Sequence, residues 1–278
     1  MTYLAIHDQA RLLTLEELRT LRESDVPADT PYRIDVNLGD ALLPLLVVRR
    51  QHAERLVVLN NGAVDLKRSE HQPVFQRSSW WGEIEAHQVF VCDPGTVGAH
   101  AQPLNWLQTA TPRWHIKEIV RAIIWLSRSM GSPRPQQRTY YGSSAGGFAA
   151  LQELAFDPNA RSIVNNPQID WTRWHAHQVR AVLKSRYRGY TAKQVREEYP
   201  KRSNCLQNLY DTGARSTIDY WVNMASPHDR DVQLPIALDF IRNRPNICNN
   251  FTVHMYHDET LGHNPLGKIE TLELLNRG

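Results

Sequence analysis

The sequence predicts an α/β protein built on a mostly parallel sheet, and three observations lead there. Short β-prone runs alternate with amphipathic helical runs along most of the chain, the pattern of strands joined by crossover helices. Some of those strands are apolar throughout, Leu56-Val57-Val58-Leu59 and Val89-Phe90-Val91-Cys92 among them, as in a sheet covered on both faces. Residues 138–151 pass from strand formers through Gly142-Ser143-Ser144-Ala145-Gly146 straight into a helix-prone run, so one strand ends in a tight turn that opens a helix.

In order along the chain, Leu12, Leu15, Leu18 and Leu21 predict an amphipathic helix near the amino end, where no apolar core and no small-residue cleavage site of a secretion signal is visible. Residues 32–38 and 43–49 read as a strand pair turned at Gly39-Asp40, and 55–59 as a central strand running into Asn60-Asn61-Gly62-Ala63. Residues 89–92 form a strand stopped by Asp93-Pro94-Gly95. Ile116, Ile119, Val120, Ile123, Ile124 and Leu126 give 114–130 helical spacing. After the strand formers Thr139, Tyr140 and Tyr141 and the Gly-Ser turn, 148–156 reads as a helix with Phe148, Leu151, Leu154 and Ala155 on one face. Strands at 162–164, 217–224 and 251–256 and helices at 236–242 and 268–275 complete the pattern. No linker divides the chain, so 1–278 reads as one domain. Residues 167–216 are too long for an ordinary connection, and they leave the sheet at its carboxyl edge. They read as a cap-like insertion over the site or as a crossover with buried tryptophans.

Composition narrows the function classes. The longest apolar stretch, 41–48, contains Pro44 and is far too short to span a bilayer, so a soluble protein with no membrane span is expected. Cys92, Cys205 and Cys248 are too scattered for a disulfide framework or a Cys-x-x-Cys metal site and fit a cytoplasmic protein. A net charge of +3 gives no argument for nucleic acid. Between Trp171 and Arg202, nine basic residues face only Glu197 and Glu198, which suits either an anionic substrate or a solvated helix face. No His-x-His-x-Asp or His-Glu-x-x-His pattern supports a metal hydrolase, and no permanently bound cofactor is expected.

The chemistry centres on Ser144. A serine at a tight strand-to-helix turn needs small neighbours, and Gly142 and Gly146 supply them; the bland alternative is a close-packed turn. In that frame Ser144 is the nucleophile, with Ser143 its rival, and the Ala145 N–H at the helix start is aimed at an oxyanion. A serine hydroxyl needs a base to take its proton and a third group to orient that base. His263 follows Gly262 in a loop after the last strand and is the expected base; His254 and His257 are its rivals. The acid is expected on the loop after the 217–224 strand, where Asp229, nearer the strand end, is favoured over Asp231; either could be a turn carboxylate or a cap for the helix near Leu234, a reading that suits Asp231 better. Gly62 or Ala63, after the central strand, supplies a second oxyanion N–H unless Asn61-Gly62 is an ordinary turn.

With serine, acid and histidine in that chain order, most of the sequence resembles the α/β-hydrolase superfamily. More narrowly, Asn61-Gly62-Ala63-Val64-Asp65, Asp93-Pro94, Gly142-Ser143-Ser144-Ala145-Gly146-Gly147-Phe148 and Asn166-Pro167-Gln168 resemble bacterial members associated with surface-polysaccharide assembly. That resemblance implies an esterase or O-acyltransferase acting on a glycan or another small ester. Members of that group often carry histidine at the position of Asn61. Acetyl-CoA is the candidate acyl donor, and Trp80, Trp81, Trp171 and Trp174 are either sugar platforms or core. Hydrolase and transferase share every residue named. The reading from a different class is a catalytically inactive binding or assembly subunit.

Overall fold

The computed structural model describes residues 10–110 and 113–277. Nine strands form one sheet: β1 (Arg11–Thr14), β2 (Tyr32–Asn37), β3 (Leu42–Val48), β4 (Leu56–Asn60), β5 (His87–Val91), β6 (Arg138–Ser143), β7 (Arg161–Asn165), β8 (Thr217–Asn223) and β9 (Asn250–Tyr256). Their spatial order is β1-β2-β3-β5-β4-β6-β7-β8-β9. β3 runs against β2 and β5, and every other neighbouring pair is parallel. Helices flank both faces, as the unbroken apolar runs of β4 and β5 require: every residue of those two strands is buried.

The two-residue period of the strands divides the core. Leu56, Val58, Val89 and Tyr140 pack on one face with Ile119, Ile123 and Phe148, and Val57, Leu59, Phe90, Tyr141 and Ile163 on the other with Phe75 and Leu275. The Ile116–Ser129 helix buries the predicted stripe except Ile124, which is half-buried. The Ala145–Leu154 helix is buried on every side, more than its predicted single face. The Cys205–Thr212 helix covers its outer side, where Asn208 Nδ2 donates to Gln152 Oε1 at 2.7 Å. Beneath β6, Arg138 grips the buried Asp157 through two bonds of 2.6 and 2.7 Å, and the Tyr140 hydroxyl donates to the same carboxylate at 2.9 Å.

The amino end departs from expectation. Residues 11–14 form the edge strand β1 rather than the start of a helix, and alternation buries Leu13 while leaving Leu12 63% exposed. A helix runs only over Leu15–Arg19, started by a reciprocal cap between Thr14 and Glu17. Residues 1–9 lie outside the described residues. Among the described residues no helix is long and apolar enough to cross a membrane.

Between β7 and β8 the chain forms the helices Ala176–Arg186, Ala192–Glu198, Pro200–Ser203 and Cys205–Thr212. Trp171 is fully buried there and stacks on Trp106 with ring centres 5.2 Å apart, so it is core. Two members of the basic run serve packing. Arg202 is buried 5.1 Å over the Tyr187 ring, and Arg186 donates to Asn105 Oδ1 at 3.1 Å; burial lowers the pKa of both.

Candidate active site

β4 is flanked by β5 on one side and β6 on the other, so the chain reverses its direction of travel across the sheet there and leaves a crevice beyond the carboxyl ends of β4 and β6. Ser144 stands at that crevice. β6 ends at Ser143, Ser144 adopts φ 57° and ψ −125°, and the helix starts at Ala145. A side chain at positive φ costs of order 1–3 kcal/mol and persists only where its surroundings hold it. Two glycines do so here. A Cβ on Gly142 would stand 2.0 Å from the Gly146 carbonyl oxygen, and one on Gly146 would stand 2.6 Å from the Asn60 oxygen, so only hydrogen fits at either.

The raised hydroxyl meets an imidazole. His263 Nε2 lies 2.8 Å from Ser144 Oγ, and His263 Nδ1 lies 2.7 Å from Asp229 Oδ2. The Asp229 carboxylate is wholly buried, and the Ser226 hydroxyl donates to the same Oδ2 at 2.6 Å, while Oδ1 has no hydrogen-bond partner among the described residues. A buried acceptor with two convergent donors fixes the imidazole with Nδ1 protonated and Nε2 free to accept the serine proton.

The loop that carries His263 is held from the neighbouring strand ends. Asn166 Nδ2 donates to the carbonyls of His263 and Asn264 at 3.1 and 3.3 Å, and Asn223 Nδ2 donates to those of Asp258 and Gly262 at 2.7 and 2.9 Å. The Trp174 ring lies 4.6 Å from that of His263, and also touches His175 and His228. Burial and the neighbouring His175 lower the His228 pKa, which favours its neutral form. A cavity of about 620 Å³ opens beside His263, lined by Trp174, His175, His228 and Asp231 among others.

A scan of protein-family models and a search of curated proteins each find no match. Solved structures do match. A chain of the Glycosylation Associate Protein (Gap123) complex from Streptococcus agalactiae superposes over 82% of this chain with a TM-score of 0.55 and 12% identity. This chain spans less than half of it, 42%. The capsule O-acetyltransferase of Neisseria meningitidis serogroup A superposes with a TM-score of 0.58 and 11% identity, over 86% of this chain and 90% of its own. The HSL-homolog EstE7 from a metagenome library does so with a TM-score of 0.55 and 13% identity, over 91% and 87%.

The fold is that of the α/β-hydrolases. Within this α/β-hydrolase fold the remaining sequence candidates separate. Ser143 Oγ accepts from Arg77 Nη2 at 2.8 Å, and among the described residues no hydrogen bond joins it to a histidine. His254 stacks on Trp221 and meets Asp219 Oδ1 at 3.1 Å, and His257 is exposed beside Glu259. Asp231 is exposed and tied to Arg230 by two bonds of 2.7 Å, so it does not join His263. It is not the cap of the following helix either, for Asp229–Gln233 form a wide helical turn that runs on into Leu234–Asn243.

Of the expected oxyanion donors, Ala145 is the first residue of its helix and its N–H has no acceptor within it. Gly62 is a correction. Its N–H donates to Gln76 Oε1 at 2.9 Å, and Gln76 Nε2 closes the same loop onto the Ala63 carbonyl at 2.7 Å. Ala63 itself is exposed. Sequence reasoning missed Gln168, which donates from Nε2 to Ser144 Oγ at 2.9 Å; its only signal was the Asn166-Pro167-Gln168 resemblance. Trp80 and Trp81 are half-buried, each with an arginine 5.8 Å from its ring centre. Among the described residues, no group of three or more His, Cys, Asp or Glu side chains is arranged to hold a metal ion.

Proposed function

We propose that the protein is a serine acyl-transfer enzyme, an esterase or O-acyltransferase that carries an acetyl group on a glycan or another small ester. The observation that carries this reading is the unbroken hydrogen-bonded line from Ser144 Oγ through His263 to the buried Asp229. In the reaction Ser144 Oγ attacks the acyl carbon as its proton passes to His263 Nε2, and Asp229 stabilises the imidazolium that results. The carbonyl oxygen takes up the displaced electron pair beside the Ala145 N–H. Collapse expels the first alcohol or thiol, which takes the proton from His263, and leaves acetyl-Ser144. Water or a sugar hydroxyl, deprotonated by His263, then attacks that ester and restores the serine.

Esters and acetyl-CoA both present an acyl carbon that fits this sequence. Residues 167–216 act as the cap, supported by the contact of Trp174 with His263 and of Gln168 with Ser144. A cytoplasmic site of action agrees with three free cysteines. The structural neighbours, a capsule O-acetyltransferase and an HSL homolog, are in keeping with this chemistry.

The test is intact mass after incubation of wild type and Ser144→Ala with acetyl-CoA or p-nitrophenyl acetate. An acetyl adduct on wild type that is absent from the mutant supports the reading, and its decay with or without a glycan acceptor separates transferase from esterase. Folded wild type that acquires no adduct from either donor overturns it.

A further inference from the structure

Resting on the acyl-transfer reading, we infer that the Gln168 side-chain amide, oriented by Trp106, is an oxyanion donor of this site and takes the place of the Gly62 N–H.

Gln168 is fully buried, and each end of its carboxamide is committed. An indole N–H donates and never accepts, so the bond from Trp106 Nε1 fixes the amide oxygen on the Trp106 side and turns the NH₂ toward Ser144 Oγ, 2.9 Å away. Trp106 is itself buried and stacked on Trp171, which leaves the indole no freedom to release the amide. The Gln168 backbone N–H also donates to the Ser144 carbonyl at 3.2 Å, tying the two residues together at main chain and side chain. No catalytic base is served by this amide. It is a donor facing the reacting oxygen.

Ser144 Oγ gives its own proton to His263, so in the resting site it accepts from Gln168. When Oγ bonds to the acyl carbon, the proton moves to His263 Nε2 and the carbonyl π pair becomes the oxyanion, on the same carbon as Oγ. The attacking lone pair is now a bond. The amide NH₂, held 2.9 Å from Oγ by its bond to Trp106, then faces the oxyanion on the same carbon, where negative charge has developed. When the intermediate collapses the pair returns to the carbonyl and the leaving group departs with the His263 proton. Ala145 and Gln168 together give the two donors, while the Gly62 N–H stays on Gln76.

The test uses the full chain as wild type, Gln168→Glu and Gln168→Met. Methionine removes the donor without adding charge; glutamate keeps an acceptor for Trp106 but puts a second oxygen where the NH₂ stood, which carries a charge when ionised and can donate when protonated, so it is read as a function of pH. Three quantities are read: the burst rate of p-nitrophenolate release from p-nitrophenyl acetate, KM, and the inhibition constant of a trifluoromethyl ketone, with Tm as the control for folding. Loss of one oxyanion donor lowers the burst rate about 10²–10³-fold at nearly constant KM and raises the inhibition constant in proportion. A burst rate within about fivefold of wild type in folded Gln168→Met, or at every pH assayed in folded Gln168→Glu, overturns the inference, as does a slow burst with unchanged inhibitor affinity, which marks a structural role. A wild type with no burst and no adduct overturns the acyl-transfer reading as well; a normal wild-type burst beside unaffected variants overturns the donor role alone.

Discussion

Asp229→Asn set beside Asp231→Asn tests the site most sharply, because the two aspartates stand two residues apart and only one touches the imidazole. His263 Nδ1 is 2.7 Å from Asp229 Oδ2, and that carboxylate is wholly buried. At an effective dielectric of about 20, opposite unit charges about 4 Å apart attract by about 4 kcal/mol, or about three decades in rate. Asparagine has no good placement here. With its oxygen at the Oδ2 position it keeps the bonds from Ser226 and His263 but loses the charge; with its NH₂ there it forces His263 into the tautomer that cannot accept the serine proton. Asp229→Asn should therefore slow acylation about 10³-fold, whereas Asp231→Asn, exposed and paired with Arg230, should stay within about twofold. The assay is the second-order rate of Ser144 labelling by a fluorophosphonate, read by intact mass, with Tm recorded for each variant. The reasoning fails if Asp231→Asn slows labelling as much, or if Asp229→Asn at unchanged Tm labels within about tenfold of wild type.

Gly142→Ala should destabilise the protein by about 3 kcal/mol or more, since its Cβ would stand 2.0 Å from backbone that cannot move away, while Gly82→Ala, with open space around it, should be near neutral; chemical denaturation compares them. Burial raises the Glu153 pKa to about 8, so at pH 7 the folded chain holds a proton that the unfolded chain releases. That stabilising proton is fully useful below the unfolded value and its benefit is lost as pH rises toward the folded one, so Glu153→Gln should gain on wild type by up to about 4 kcal/mol between pH 4.5 and 8. Urea titrations at both ends of that range check the slope, and a difference independent of pH would refute it. Ser226→Ala should cost about tenfold in labelling rate, because the Asp229 oxygen that orients His263 then loses its shortest donor.

Much of this arrangement could be read from the chain. Strands β2 to β9 follow from apolar runs and turn residues, and Gly142, Ser144 and Gly146 in one five-residue frame mark the turn because the close approach there is local. Asp229 and His263 are expected from chain order and from the nearness of Asp229 to its strand end, but the wide helical turn that buries Asp229 and exposes Asp231 is a separation no spacing rule announces. β1 was missed because four residues at a sheet edge are too short to establish a period, and leucines at 12, 15 and 18 match a helix equally well. The Gly62 error has a different origin. Its N–H is taken by a side chain fourteen residues on, and Gln168 meets Trp106 across 62 residues, contacts that only the folded chain creates.

β7 contributes neither Ser144, Asp229 nor His263, yet the site depends on its carboxyl end. Asn165 accepts from the Leu266 N–H at 2.7 Å and donates to the Trp221 carbonyl at 3.1 Å, which ties the loop after His263 to β8. Asn166 adopts φ 45°, and its amide reaches the His263 and Asn264 carbonyls while its oxygen accepts the Asn223 N–H. Asparagine suits that position on two counts: it tolerates the left-handed region better than most side chains, and it carries a donor and an acceptor on a short stem. Two residues later Gln168 faces the serine itself. The imidazole is thus located by the strand between those bearing Ser144 and Asp229 as much as by its own strand, since Asn165 and Asn166 join Asn223 in anchoring the loop that holds it 2.8 Å from Ser144 Oγ.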